Sequence, residues 1–217
     1  MIHSVLPEIN RRNFIGRAFV ALGGFSAIHL GAGFLTGCST KGNPLSSSAP
    51  AAPAVEVPEN LSWQTVLVSK DEPGEPLVVS GRIFQADGQT PAVGTTLYVY
   101  HTDARGLYSE EDGKGGEPKP RLKGWMRTDR EGRYEFRTIK PASYPGGGNP
   151  RHIHAKIYET GRPEQWPDTF VFNDDPLITP QVHVQYDALG KFSPIMVSKL
   201  GGDGVIRCVH DIRLKQT

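Results

Sequence analysis

Beyond residue 60 the chain never repeats its apolar residues at helical spacing over a long stretch. It offers short β-branched and aromatic runs divided by turn signals, which is the pattern of a sandwich of short strands. The run at 77–84 closes on Ala86-Asp87-Gly88-Gln89, and a second run covers 95–101. Thr128-Asp129-Arg130-Glu131-Gly132 makes a turn, after which 133–139 alternates polar and apolar residues. Residues 152–158 alternate as well, and 170–172, 182–186, 195–198 and 205–212 complete the strand expectations. Glycine (25) and proline (18), without a collagen period, supply the turns these strands need. The expected class is therefore all-β, a β-sandwich with long loops. Lys and Arg (24) nearly balance Asp and Glu (23), so no basic surface for nucleic acid is expected.

The first 37 residues read as an address, not as part of the fold. Arg11-Arg12 precedes a weakly apolar run that leaves through Leu35-Thr36-Gly37-Cys38. The arginine pair resembles a twin-arginine export signal, and the exit resembles a bacterial lipobox in which Cys38 takes the lipid. Glycines at 16, 23, 24, 31, 33 and 37 disfavour a packed helix here. Removing 1–37 takes away three arginines and one glutamate, leaving 21 basic and 22 acidic side chains. Residues 38–60, rich in Ser, Ala and Pro, read as a flexible tether. The globular domain is then expected over 61–217, exported and held to a bacterial membrane by Cys38. Cys208, left without a partner cysteine, is expected as a small buried hydrophobe.

Residues 77–137 alone resemble prealbumin-like and carboxypeptidase-regulatory-like modules, most of which only bind or adhere. Residues beyond 137 add chemistry. Arg151-His152-Ile153-His154-Ala155 places two imidazoles at i and i+2, on one side of a strand. Such a pair suits a first-row metal, and also occurs without one. Tyr144, beside Pro145 in a loop that returns towards the histidines, has little packing reason to be there. Tyr108 lies similarly just past an aromatic strand, whereas Tyr98, Tyr100, Tyr134 and Tyr158 are expected to pack. Two phenolate oxygens with two imidazoles suit Fe(III). Zinc more usually takes three His, or Cys with His.

These residues carry a resemblance. Ala-Arg-Gly-Leu-Tyr-Ser (104–109), Thr-Asp-Arg-Glu-Gly-Arg-Tyr-Glu-Phe-Arg-Thr-Ile-Lys-Pro (128–141), Tyr144-Pro145, His152-Ile153-His154 and Asp175-Pro176-Leu177-Ile178 resemble the intradiol ring-cleavage dioxygenases. That likeness implies a ferric site on Tyr108, Tyr144, His152 and His154, with Tyr108 staying bound and Tyr144 moving away when substrate arrives. It also implies O2 and a catechol as substrates and a cis,cis-muconate as product. Two departures stand out: Asn149 and Thr169 occupy positions where the family usually has arginine and glutamine. Asn149 and Arg151 are the candidates for handling charge on the substrate ring, with Arg151 expected to face away from His152. The remaining alternatives are a non-catalytic binding module with a structural or zinc-binding His-x-His pair, and a metal-dependent lyase or hydrolase. The loop from Tyr108 to Lys123 reads as a solvated loop in preference to a lid. The address reading has a direct check: Cys38→Ala should move the protein from the membrane fraction to the soluble one, and retention with lipid would exclude the lipobox.

Overall fold

Alternation along each run decides which side chains go inward, and the computed structural model shows the result for residues 57–109 and 119–216. The leader, most of the tether and the centre of the 108–123 loop lie outside the described residues. The strands are β1 (Gln64–Val66), β2 (Pro76–Phe84), β3 (Thr96–His101), β4 (Leu122–Arg127), β5 (Arg133–Ile139), β6 (His152–Tyr158), β7 (Phe170–Phe172), β8 (Ile195–Met196), β9 (Lys199–Leu200), β10 (Ile206–Val209) and β11 (Ile212–Arg213). One sheet runs β1-β5-β2-β10-β9, with β11 also on β2, and the other runs β4-β3-β6-β7-β8.

The inward faces of the two sheets make one core. Leu77, Val79 and Ile83 of β2, with Tyr134 and Phe136 of β5, meet Leu97 and Val99 of β3, Ile153 and Ile157 of β6, and Phe170 and Phe172 of β7. Each is almost wholly buried, and each such side chain contributes roughly 1.5–3 kcal/mol. Cys208 is buried among them as expected. Where β2 crosses the end of β10 the backbones nearly touch. A Cβ on Gly81 would lie 1.8 Å from the carbonyl oxygen of His210, which also accepts the Tyr134 hydroxyl at 2.6 Å.

Three local expectations are corrected. Residues 182–186 are not a strand: α1 (Pro180–Asp187) is a short helix, with extended Thr179 before it and Pro180 at its start. Proline at the first helical position supplies the right φ and lacks only an N–H that would be orphaned anyway. Val182 and Val184 have no sheet neighbour to favour extension, and no residue of α1 is buried. Secondly, β4 arises where Gly124 weakens the strand signal. A Cβ there would press tightly on the Leu67 and Thr65 side chains, at 3.0–3.1 Å. Thirdly, the 205–212 run breaks at His210 and Asp211 into β10 and β11, both parallel to β2.

Two buried histidines tie the fold to pH. His101 bonds Thr102 O through Nδ1 and the Thr138 hydroxyl through Nε2, each at 2.7 Å. His210 packs on the Phe170 ring at 4.1 Å, and its Nδ1 has no hydrogen-bond partner among the described residues. Burial, the main cause, pushes both down to about 4 from an ordinary value near 6.5. Folded pKa values below the unfolded ones mean stability that is complete above pH 6.5 and lost as pH falls towards 4, on the order of 3 kcal/mol for each histidine. Urea midpoints should therefore drop between pH 7 and 4.5, and His210→Leu should flatten that drop. A wild-type midpoint constant over this range would exclude it.

Candidate metal centre

The site is built where three chain segments leave or enter the sheets at one end. β3 ends at His101, and Asp103 then folds the chain back on itself. Its Oδ1 accepts the N–H groups of Arg105 at 2.8 Å and Leu107 at 3.0 Å, and its other oxygen accepts the Arg105 guanidinium. Burial opposes ionisation of Asp103, but these donors outweigh it and hold the carboxyl below its usual range. The turn delivers Tyr108, which is 8% exposed. From the other sheet, β5 ends at Ile139 and runs through Lys140-Pro141 to Tyr144, whose carbonyl accepts the Gly147 N–H at 3.1 Å. Gly146, Gly147 and Gly148 all have positive φ, a backbone conformation that glycine adopts without strain.

The two loops are fastened to each other. Ala142 donates its N–H to Asp103 O at 3.1 Å, and Thr102 donates its hydroxyl to Ala142 O at 2.7 Å. Gly106 then passes so close that a Cβ would lie 2.1 Å from Ser143 O, and its φ of +84° already excludes most side chains.

β6 contributes the histidines. His152 Nδ1 donates to Pro150 O at 2.7 Å, which leaves Nε2 as a bare acceptor. His154, two residues on, lies on the same face, and the two Nε2 atoms are 3.1 Å apart. Tyr144 Oη sits 2.9 Å from His152 Nε2 and 3.1 Å from His154 Nε2, and it bonds the Tyr108 hydroxyl. Burial pushes the His154 imidazole down to about 3, helped by neighbouring His152, and burial lowers His152 too. Tyr100 stacks on His154 at 4.7 Å, and burial, then Tyr144, pushes its hydroxyl up to about 12. Four atoms able to act as metal donors thus share one small volume, an arrangement suited to a cation.

The four candidate ligands come together, whereas Arg151 does not join them. Its Nε and its backbone N–H both donate to Asp175 Oδ2, at 3.0 and 2.9 Å, and Nη2 donates to Asp174 O at 3.1 Å. Asn149 is half-buried at the end of the glycine loop, and Thr169 is half-buried just before β7. Arg133, on the other sheet, is taken by Asp129 and Glu131. Among the described residues no three of His, Cys, Asp and Glu gather into a further metal site. Gly106 and Asp175 entered the sequence reading only as parts of matched motifs, with no role of their own, and Asp103 was not singled out. Asp103 and Gly106 at i and i+3 are a turn signal that marks where Tyr108 is presented.

The Dioxygenase family profile matches residues 58–189. The chain belongs to the intradiol ring-cleavage dioxygenase family. It is 27% identical over 151 residues to catechol 1,2-dioxygenase 1 of Acinetobacter lwoffii, covering 62% of this chain and 47% of that protein. It is 35% identical over 120 residues to the protocatechuate 3,4-dioxygenase beta chain of Burkholderia cepacia, covering 51% of each. The chain thus spans about half the length of these curated relatives. Among solved structures it resembles the dioxygenase domain of a dioxygenase–carbohydrate-binding protein fusion from Streptomyces sp. SirexAA-E. That match has a TM-score of 0.54 and 28% identity, and it covers 77% of this chain and 97% of that one.

The loop contact makes its own prediction. Gly106→Ala must push Ser143 away or strain φ, so it should lower unfolding free energy by about 2 kcal/mol or more. Urea unfolding against wild type measures this, and an unchanged midpoint would exclude the contact.

Proposed function

We propose that this chain is a ferric dioxygenase that opens catechols between their two hydroxyls with O2, giving cis,cis-muconates. The observation that carries the reading is the convergence of Tyr108 Oη, Tyr144 Oη, His152 Nε2 and His154 Nε2. Two hard phenolate donors and two neutral imidazoles fit Fe(III) better than zinc, and these four residues would hold it. When bound, the ferric ion supplies Lewis acidity that makes the catechol hydroxyls more acidic and links the ring's electrons to O2.

The chain's own residues have distinct parts in this scheme. His152 is held by Pro150 O, and His154 by stacking on Tyr100, so both present Nε2 without rearrangement. Buried Tyr108 is the retained phenolate. Half-buried Tyr144, on its three-glycine loop, is the one that moves aside, and its Oη takes a proton from the incoming catechol. Arg151 is held by Asp175, and Arg133, a second arginine that could be considered, is held by Asp129, so both are committed away from a substrate carboxylate. With Asn149 in place of the family arginine, neutral and substituted catechols should be turned over better than carboxylated ones. A charge-assisted contact of this kind contributes roughly 1.5–3 kcal/mol. The resemblance of Leu35-Thr36-Gly37-Cys38 to a lipobox supports a reading in which the reaction runs outside the cytoplasm, on a membrane tether at Cys38.

Iron content, visible absorption and oxygen uptake test the proposal. The iron-loaded protein should be red-brown from phenolate-to-ferric charge transfer, and His152→Ala and His154→Ala should lose most of the metal. Tyr144→Phe should keep part of the iron with a changed colour. Full iron and unchanged colour in both Tyr108→Phe and Tyr144→Phe would refute the ligand set. Oxygen uptake should be faster with catechol than with protocatechuate, and the reverse order would refute the charge argument.

A further inference from the structure

Asp175 does more than occupy Arg151. Its side chain is buried, with 3% of its surface exposed, and each oxygen is committed. Oδ1 accepts the Leu177 N–H at 3.0 Å, while Oδ2 accepts the Arg151 N–H at 2.9 Å and the Arg151 Nε at 3.0 Å. The Arg151 N–H belongs to the peptide unit that links Pro150 to Arg151. The carbonyl of that same unit is Pro150 O, which accepts the His152 Nδ1–H at 2.7 Å. A peptide group is planar, with N–H and C=O pointing in opposite directions. Fixing its N–H on a carboxylate therefore fixes the direction of its carbonyl, and the negative charge polarises that carbonyl into a better acceptor.

We infer that Asp175 is a positioning residue that acts on His152 through the Pro150–Arg151 peptide, locking the imidazole as its Nδ1–H tautomer with Nε2 aimed at the donor cluster. Metal-binding histidines generally carry such support on their second nitrogen, directly from a carboxylate or a carbonyl. Here the carboxylate stands one peptide behind the carbonyl. The Arg151 guanidinium closes the arrangement by compensating the buried carboxylate, which accounts for an arginine next to the histidine pair that does not turn into the site. The adjacent Asp174 is not part of this relay: its carboxylate is nearly half exposed and pairs with Lys140 at 2.5 Å.

The inference rests on the four-donor reading, and two measurements separate the two. In the metal-free protein, nitrogen-15 spectra of the imidazoles should show His152 as one Nδ1–H tautomer, and Asp175→Asn should give a tautomer mixture. Asn keeps the shape of Asp but replaces one acceptor oxygen with a donor, so it cannot serve all three N–H groups. In the iron-loaded protein, Asp175→Asn should release iron to a chelator about tenfold faster or more and shift the visible band, while Asp174→Asn stays near wild type. A cooperative thermal transition in both variants keeps the comparison between folded proteins. A single unchanged His152 tautomer in Asp175→Asn, or iron release in Asp175→Asn equal to Asp174→Asn, overturns the relay. A colourless wild-type protein that takes up no iron overturns the ligand set itself, and the role of Asp175 in metal retention with it.

Discussion

The donor cluster exists because loops from two different sheets are locked together where Gly106 passes the carbonyl of Ser143. Tyr108 hangs from the end of β3, and Tyr144 from the end of β5 across the sandwich. The lock has a polar frame beneath it. His101, fully buried at the end of β3, joins Thr138 near the end of β5, and Thr102 and Asp103 reach the backbone of Ala142. These bonds join the two sheets at the level from which both tyrosines depart. The core holds the sheets at their spacing, and this frame converts the spacing into a distance between hydroxyls.

Burial then sets the chemistry available. Imidazoles taken out of water stay neutral, so each keeps one ring nitrogen without a proton, the form in which histidine can ligate a cation. Packing does this with rings that are themselves part of the surroundings: Tyr100 stacks on His154, and Tyr108 and Tyr144 flank the same space. Tyr98, Trp125 and Tyr158 extend the aromatic surface along the outer face of β3, β4 and β6. Each of these residues alternates with core residues such as Val99, Met126 and Ile157 on the opposite face. One strand period thus serves both the core and the walls of the site.

Most of the fold was legible because period-2 alternation is a local property. The strands at 76–84, 96–101, 133–139 and 152–158 are visible in neighbouring residues alone. The helix at 180–187 was not, since Val182, Val184 and Tyr186 favour strands and only Pro180 argues for a helix start. The pairing of Tyr108 and Tyr144 with the histidines was legible through residue order and family resemblance, which carry information that propensity lacks. The supports were hidden for a physical reason. Gly106, Asp103 and Asp175 act through backbone groups, and no sequence pattern states that a carbonyl 37 residues away will press on a glycine.

Arg151 shows how position in sequence and position in space part company. It lies next to a histidine of the cluster, two residues after Asn149, and by proximity it is the natural substitute for a missing positive charge. The strand begins at His152, however, and its pleat sends neighbouring side chains to opposite faces. The guanidinium therefore reaches the turn at Asp174 and Asp175 instead of the face that carries His152 and His154. Once there it compensates a carboxylate that would be costly to bury alone. Returning Arg151 to the site would strip Asp175 of its counter-charge and disturb the peptide that orients His152. One guanidinium cannot both compensate Asp175 and turn to the face that carries the histidines, and the observed geometry commits it to the carboxylate.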